Sequence, residues 1–426
     1  GLARYRSDVL GNDYTGSLFT AEFNTGRLMQ FTVEPDGATY KTQTKTFMTS
    51  SIPDFHPTDV LEDADGSLLF VNTGGWFIAG CPLSVVAKTD VLGGIYRIRK
   101  DGARIDDPWG RKIDIKALSP DEVAKLLLDK RPAVRDNAQE ELIIRGEASI
   151  PTLVNILSSS PSDEARTNAV FALYRIGTEA SMKHVVDALG HPSLGVRVAA
   201  ARSCGLAKEK SAVSKLLEIV LNDKPQAQRQ AATALGQIGD ASSAEQLLAA
   251  ADKTDDRFVE HAIIYSLITM ENAQPLVKAL QGNSEKVTKA ALIALDQMDG
   301  EKLKKEHIRP FLVGNNESLR ETAIWALMHH ETWGDVVLAY LKHRSSSFES
   351  VEAEAESLIR LMVGFSHDAS IQRWMADRLG SPTSSDPEKW LLIDAMGKSR
   401  MKEFPNVWLG RLGDLLKKGS PKTQER

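Results

Sequence analysis

The chain has 426 residues, of which 42% are apolar, and its formal net charge is -5. This length and apolar content suffice for two or more domains and exclude a wholly disordered chain. The balanced charge argues against a nucleic-acid partner, because nucleic-acid-binding domains usually carry a basic face or stripe. Two cysteines, Cys81 and Cys204, are too few for a disulfide framework and lack the paired spacing of a metal site. No run reaches the roughly 18 apolar residues that a membrane span needs.

Residues 1–103 have the pattern of short strands, because apolar residues alternate with polar ones and Gly, Asp and Asn separate the runs. Two copies of one unit align here. The first is GSLFTAEF followed by GRLMQFTVEPDGA, and the second is GSLLFVN followed by GGIYRIRKDGA. Each copy ends in an Asp-Gly pair suited to a tight hairpin. Repeated antiparallel units are typical of propeller blades, so we predict a partial β-propeller of about two blades.

The run DFHPTDVLEDADGSLLFVNTGGW and the later GGIYRIRKDG resemble the closing blades of the glucose/sorbosone dehydrogenase-like propeller. They resemble in particular the bacterial membrane-bound-dehydrogenase-type proteins, in which a propeller precedes HEAT-like repeats and a c-type haem domain. The resemblance implies a parent that oxidises sugars or alcohols with pyrroloquinoline quinone (PQQ) and c-type haem, in a periplasmic or secreted location. The haem signature CxxCH is absent from this sequence. We therefore expect the chain to be the middle of a larger protein, with no cofactor of its own.

Four residues of the strand region are candidate contacts at the mouth of such a propeller: His56, Asp59, Asn72 and Trp76. His56 stands before a strand and either contacts a cofactor or anionic substrate or is a surface histidine. Asp59 either orients such a residue or bonds the local backbone. The loop 75–92 is long and apolar, which favours packing against the helical part or a missing blade over a substrate lid.

Residues 104–118 are predicted to be a linker, and residues 119–416 contain a repeat. The stretch AQRQAATALGQIG has close relatives along the chain, spaced by 31, 31, 31, 32, 28 and 32 residues. The first positions of these seven copies are Val134, Ala165, Val196, Ala227, Val259, Val287 and Leu319. The fifth position is alanine except at Ile263, and the ninth is leucine except at Cys204. Positions one, five and nine lie on one helical face, so each copy is predicted to be an amphipathic helix.

An aliphatic residue eleven positions before each copy marks a second helix in every unit. Helix pairs at a period of about 31 residues predict a mainly α fold, an α-solenoid, in which each unit buries its apolar face against its neighbours. The units resemble HEAT-like repeats of the short kind first described in phycobilin lyases, from Ser119 to about Glu331. Helices continue less regularly to 416, as terminal repeats usually do. The polar tail 417–426 is predicted to be disordered.

Basic residues recur at the second or third position of six copies: Arg135, Arg166, Arg197, Arg229, Lys289 and Arg320. In two copies an aspartate lies six residues earlier, Asp129 before Arg135 and Asp223 before Arg229. One interpretation is a ladder of charges that bonds the turns between neighbouring repeats. The other is a basic strip on one face that holds an acidic partner.

Motifs of catalysis are absent from the sequence, which contains no HExxH, GxSxG, P-loop or GxGxxG. His329 and His330 end the seventh copy, where cations suit the helix dipole. A metal site there is disfavoured, because adjacent histidines on a helix point in different directions. We therefore predict no catalytic or metal residues, and a scaffold that binds a protein partner on the concave face of the solenoid. The alternative is a segment of a quinoprotein-like dehydrogenase whose active site is completed by further blades.

Overall fold

Among the residues that the structure describes, the strands lie in the first quarter of the chain. A computed structural model describes residues 1–52, 54–75, 90–345, 355–418 and 420–424. Within them the strands are β1 Leu2–Arg4, β2 Leu18–Glu22, β3 Arg27–Asp36, β4 Thr39–Thr49, β5 Pro57–Glu62, β6 Leu68–Asn72 and β7 Gly94–Ile98.

From Pro120 onward, the described residues are mainly helical. The helices of the first half are α1 Pro120–Lys125, α2 Pro132–Ile144, α3 Ile150–Ser159, α4 Asp163–Ile176, α5 Glu179–Asp187, α6 Leu194–Ala207, α7 Val213–Asn222, α8 Pro225–Ile238, α9 Ala244–Lys253 and α10 Arg257–Met270. Those of the second half are α11 Ala273–Ala279, α12 Glu285–Gln297, α13 Lys305–Val313, α14 Glu317–Leu327, α15 Gly334–Ser345, α16 Ala355–Gly364, α17 Ala369–Leu379, α18 Asp386–Lys398, α19 Asn406–Lys418 and α20 Pro421–Gln424.

Two compact units make up the chain. The first comprises 1–239 and 255–262, and the second comprises 240–254 and 263–426. In the first unit, α2, α4, α6 and α8 stack on one another in chain order. In the second unit, α12, α14, α16 and α18 stack in the same way, and α13, α15, α17 and α19 form a parallel row. The predicted solenoid of helix pairs is confirmed.

The stretch AQRQAATALGQIG forms most of α8. The helix begins with Pro225. Proline lacks a backbone N–H, but the N–H groups of the first turn have no acceptor within the helix, so no hydrogen bond is lost. It ends at Gly239, whose φ of 74° is left-handed and suits a residue without a side chain. Every fifth and ninth position in the seven copies is fully buried, including Ile263 and Cys204. Burial raises the pKa of the Cys204 thiol to about 12, so this residue acts as a small apolar side chain.

The small antiparallel β region is also confirmed, as two sheets. One has the order β1-β2-β3-β4 and the other β5-β6-β7, and every pairing is antiparallel. Both sheets contribute to one core, which contains Tyr5, Phe19, Leu28, Phe55, Val60, Leu68 and Phe70. The prediction of a partial propeller is wrong, because two sheets packed around a single apolar cluster do not form a ring of blades.

The β region is fastened to the helices of the first unit at two places. Arg6 makes a bidentate pair with Asp136 on α2, with Nη–Oδ distances of 2.9 and 2.7 Å. The tip of the β3–β4 hairpin reaches α8 and the start of α10: the Ala38 N–H donates to Asp256 Oδ2 at 2.6 Å, and Arg229 Nη1 donates to the Ala38 carbonyl at 3.0 Å. Polar contacts therefore join the two parts of the unit at both of these places.

The linker lies along the first helix pair. Arg145, at the end of α2, donates to the carbonyls of Leu118 and Ile115, at 2.7 and 2.8 Å. Asn137 donates to the Trp109 carbonyl at 3.3 Å. At the other end of the chain, the last two residues of α19 and all of α20 lie within the predicted tail, and the Trp390 indole N–H donates to Thr423 on α20 at 3.1 Å. The linker thus packs on the first helix pair of the first unit, and α20 packs on α18 in the second unit, as expected of terminal caps.

Candidate interaction surface

The seventh position of each copy faces away from the buried first, fifth and ninth positions, because it lies on the opposite side of the helix. In the second unit this position is Tyr265 on α10, Ile293 on α12 and Trp325 on α14. We refer to these three residues as the apolar row. Tyr265 is 56% exposed and Trp325 is 39% exposed, whereas Ile293 is half-buried.

Both aromatic residues of the apolar row carry a polar group that is free to bond a ligand. Within the described residues, the Trp325 indole N–H and the Tyr265 hydroxyl have no hydrogen-bond partner. The seventh positions of the first unit are mostly polar, namely Glu140, Arg202 and Thr233, with the half-buried Phe171 as the exception. Glu140 there is paired with Arg175, at 2.6 Å. Exposed aromatic side chains with a polar tip are the type enriched in the centres of protein interfaces.

Trp325 is held in place by its neighbours. The His329 ring packs edge-on against the indole, with the ring centroids 4.4 Å apart. His329 Nδ1 lies 2.6 Å from Asp296 Oδ2, and the Asp296 side chain is fully buried. A tryptophan supported in this way loses less conformational freedom when a partner binds, which favours affinity.

Asp296 also bonds the second histidine, because His330 Nε2 lies 2.9 Å from its Oδ1. The His330 ring in turn stacks on Trp333, with a centroid distance of 3.9 Å. Sequence reasoning missed this carboxylate. Its signal is the separation of 33 residues between Asp296 and His329, close to one repeat, which places the two near the ends of adjacent stacked helices. The histidines therefore join two repeats.

Three of the four predicted propeller-mouth residues can be located, and Trp76 lies outside the described residues, as does most of the loop 75–92. His56 stacks on Phe23, with the ring centroids 4.5 Å apart. Asn72 Oδ1 accepts from the His56 backbone N–H at 2.8 Å and from the Gly74 N–H at 3.1 Å. Asp59 Oδ1 accepts from the N–H of Val60. The structure thus brings His56 and Asn72 together, and a ligand-binding role for these residues stays a prediction.

Three of the four arginines at the second position clamp turns. Arg135, Arg197 and Arg320 each donate to a carbonyl six residues earlier, those of Asp129, His191 and Gly314, at 2.9, 2.8 and 2.9 Å. Each such bond closes the turn that precedes the arginine's own helix. A guanidinium with several donors suits this task, since it can satisfy carbonyls at a helix start and still pair with a carboxylate.

Two of these arginines also reach the next repeat. Arg197 makes a bidentate pair with Asp223, at 2.6 and 2.7 Å, and Arg135 lies 3.4 Å from Glu164. Asp223 thus pairs with the arginine of the preceding copy, and Arg229 is turned to the hairpin tip. Arg166 pairs with Asp163, and Lys289 is half-buried on α12. The ladder has the geometry of a device that aligns repeats, while its role as a strip for an acidic partner stays a prediction.

Within the described residues, no group of three or more His, Cys, Asp or Glu side chains is placed to hold a metal ion. No helix in the same residues has the length and apolar character of a membrane span.

One family of known proteins matches part of the chain. The HEAT repeat family matches residues 150–227 and, in an overlapping alignment, 182–268. The matched segment runs from the start of α3 to near the end of α10. None of the curated proteins compared with the chain matches it.

Two solved structures with similar helical arrangements are distant from the chain. The complex of CpcE and CpcF of phycocyanin lyase from Nostoc is 19% identical, with a TM-score of 0.31, over 59% of this chain and 94% of that one. Human deoxyhypusine hydroxylase is 14% identical, with a TM-score of 0.26, over 66% of this chain and 94% of that one.

Proposed function

We propose that this HEAT-repeat chain is a scaffold that binds a protein partner, and that the apolar row of the second unit is the centre of the binding surface. The observation that carries the proposal is the exposure of Tyr265 and Trp325 on helices whose other faces are fully packed. Large exposed aromatic side chains cost solvation free energy, which an interface recovers by burying them. The partner then lies across α10, α12 and α14, on what the sequence predicts to be the concave face.

The same residues suit recognition better than catalysis. Stacked helices present fixed side chains at a regular spacing, and repeat proteins use such surfaces to hold extended or folded partners. The His329 and Asp296 contacts support Trp325 from one side, so the indole N–H is available to a carbonyl of the partner. The scaffold role predicted from the sequence is retained here and given a location.

A comparison of two double variants tests the proposal. Tyr265→Ala with Trp325→Ala should lower the amount of specifically bound partner at least about tenfold, because each hot-spot aromatic contributes about 2 kcal/mol or more. The matched control is Tyr40→Ala with Trp109→Ala, since these residues are 60% and 50% exposed but lie in the β region and the linker. The measurement is quantitative capture from a lysate of the source cells, followed by affinity measurement with each purified protein that the wild type retains.

A partner that binds the wild type and the control equally, and the row variant much more weakly, supports the proposal. Equal retention by all three proteins contradicts it. Circular dichroism of each variant shows whether the fold is intact.

The alternative function, a segment of a quinoprotein-like dehydrogenase, depends on the sequence resemblance alone. Neither the HEAT-repeat match nor the sheet arrangement supports a propeller parent. Binding of PQQ or c-type haem by a larger protein is not part of the proposal.

A further inference from the structure

A cavity of about 450 Å³ lies at the end of the three-stranded sheet, where the chain leaves β7 and enters the linker. The turn after β7 is closed by a hydrogen bond from the Ala103 N–H to the Lys100 carbonyl at 3.2 Å, and Gly102 there has a φ of +75°. The walls are Val9, Asp65, Gly66, Ser67, Arg99, Lys100, Ala103, Arg104, Ile105 and Pro108. The volume falls within the range of small-molecule sites, which starts at about 300 Å³.

Three cationic side chains line this cavity, Arg99, Lys100 and Arg104. In the part of the chain that the structure describes, none of them makes a hydrogen bond or an ion pair within 4 Å. A single cationic side chain without an ion pair is common on a protein surface. Three of them around one concave site raise the positive electrostatic potential inside it. The cavity is therefore attractive to anions.

The carboxylates at the same site are already engaged. Asp65 lies 3.1 Å from Arg97 and accepts from Ser67, and Asp63 lies 2.6 Å from Arg97. Burial raises the pKa of Asp65, but bonds from Ser67 and the charges of Arg97 and Arg99 outweigh it, so the net shift is downward. Among the residues that line the cavity, three cationic side chains stand against the one carboxylate of Asp65, which leaves an excess of two positive charges.

We propose that this cavity binds the phosphate group of a small phosphate monoester. A monoester is close to a dianion at neutral pH, since its second pKa is about 6, and so it matches the excess charge. One guanidinium group can donate two parallel hydrogen bonds to two oxygens of a phosphate group. Arg99 and Arg104 supply two such guanidinium groups. Lys100 adds a point charge. The apolar wall formed by Val9, Ile105 and Pro108 accommodates the organic part of the ligand.

Titration of the full chain with phenyl phosphate, followed by ³¹P NMR or calorimetry at constant ionic strength, tests the site. Binding should be saturable, stronger than that of chloride or of the monoanion diphenyl phosphate, and weaker below pH 6, where the ligand loses charge. Arg99→Gln with Arg104→Gln should weaken it at least tenfold. Arg99→Lys with Arg104→Lys keeps the charge but loses the paired donors, so it should give an intermediate affinity.

The control for general electrostatics is Arg4→Gln with Arg202→Gln, two exposed arginines elsewhere in the first unit whose loss changes the net charge equally. This variant should bind like the wild type. A second measurement uses the wild-type protein and compares how fast phenylglyoxal modifies its arginines. Phenyl phosphate should slow the modification of Arg99 and Arg104, but not that of Arg4 or Arg202. No preference over chloride, equal weakening in the control, or uniform protection would each overturn the proposal.

Discussion

Alanine at the fifth position sets how closely the stacked helices approach. With a methyl group as the side chain, two backbones can come to the short end of the usual distance of about 8–10 Å between helix axes. The ninth residue then fills the space between layers, and in all copies it is fully buried. Ile263 is also fully buried, so the fifth copy accommodates a larger side chain at the same register.

Leu235→Ala measures the contribution of one ninth position. Leu235 is fully buried in α8, so the change should lower the free energy of unfolding by about 2 to 5 kcal/mol, through lost transfer free energy and a cavity. Urea denaturation followed by circular dichroism gives the value. Gln237→Ala on the same helix, at an exposed position, should change it by less than about 0.5 kcal/mol. A small effect for Leu235→Ala would show that this position is not core.

Sequence reasoning located the buried fifth and ninth positions because the repeat shows the same pattern in seven copies. A residue that matches the pattern by chance in one copy is recognised by comparison with the other six. This reasoning failed for Asp296. A single carboxylate at the tenth position of the sixth copy carries no periodic signal, and its bonds to His329 and His330 form only when two repeats stack.

At the scale of elements, the β3–β4 hairpin is joined to the helices by its tip. Asp256 accepts from the Ala38 N–H and also from the N–H groups of Phe258 and Val259 at the start of α10. One carboxylate therefore caps a helix and holds a hairpin. Burial raises the pKa of Asp256, but these hydrogen bonds and the charge of Arg229 lower it more, so its pKa is below the ordinary value.

The lowered pKa of Asp256 gives a pH prediction. A carboxylate with a lowered pKa in the folded state stabilises the fold above its unfolded pKa of about 3.9, and this contribution is lost as the pH falls through the folded pKa. Asp256→Ala should therefore cost about 1 to 2 kcal/mol at pH 7, the lower part of the range for charged hydrogen bonds, because the side chain is partly exposed. As the pH falls below about 4 and then through the folded pKa, the difference in stability between the variant and the wild type should shrink.

Urea titrations at pH 7, 5 and 3 give the difference, with Asp101→Ala in the exposed β7 turn as the control. A cost that stays constant across this range would show that the charge of Asp256 does not hold the hairpin.

Strand patterns predicted the antiparallel pairing of the β region but not the arrangement of the sheets. Alternation and Asp-Gly turns specify hairpins locally. The packing of the two sheets depends on contacts such as those among Tyr5, Phe19 and Leu68, which are distant in sequence. The docking of Ala38 on Asp256 spans 218 residues and uses backbone atoms, so the sequence carries no sign of it.

For the whole molecule, the helical units should lose structure locally. Solenoid stability is approximately a sum of repeat terms and nearest-neighbour terms. Leu295→Ala in α12 should therefore speed amide hydrogen exchange mostly in the helices that contact α12, which are α9, α11 and α14. Leu235→Ala should do so in α6, α7 and α8. Hydrogen exchange mass spectrometry compares the two variants, and an equal increase across the whole chain in both would indicate global rather than local opening.

The bond of Asp296 to two successive histidines has a consequence for how such a chain can evolve. Tandem repeat arrays gain and lose repeats by recombination. This requires that neighbouring repeats make the same contacts, so that one repeat can replace another. A copy built on alanine and leucine alone satisfies that condition, since its neighbour needs only the same small and large side chains. The sixth and seventh copies do not, because separating them would remove both histidine partners of the buried Asp296 carboxylate and leave it with the bond from Gln297. They are expected to be inherited as one block, while the copies around them can be duplicated or lost.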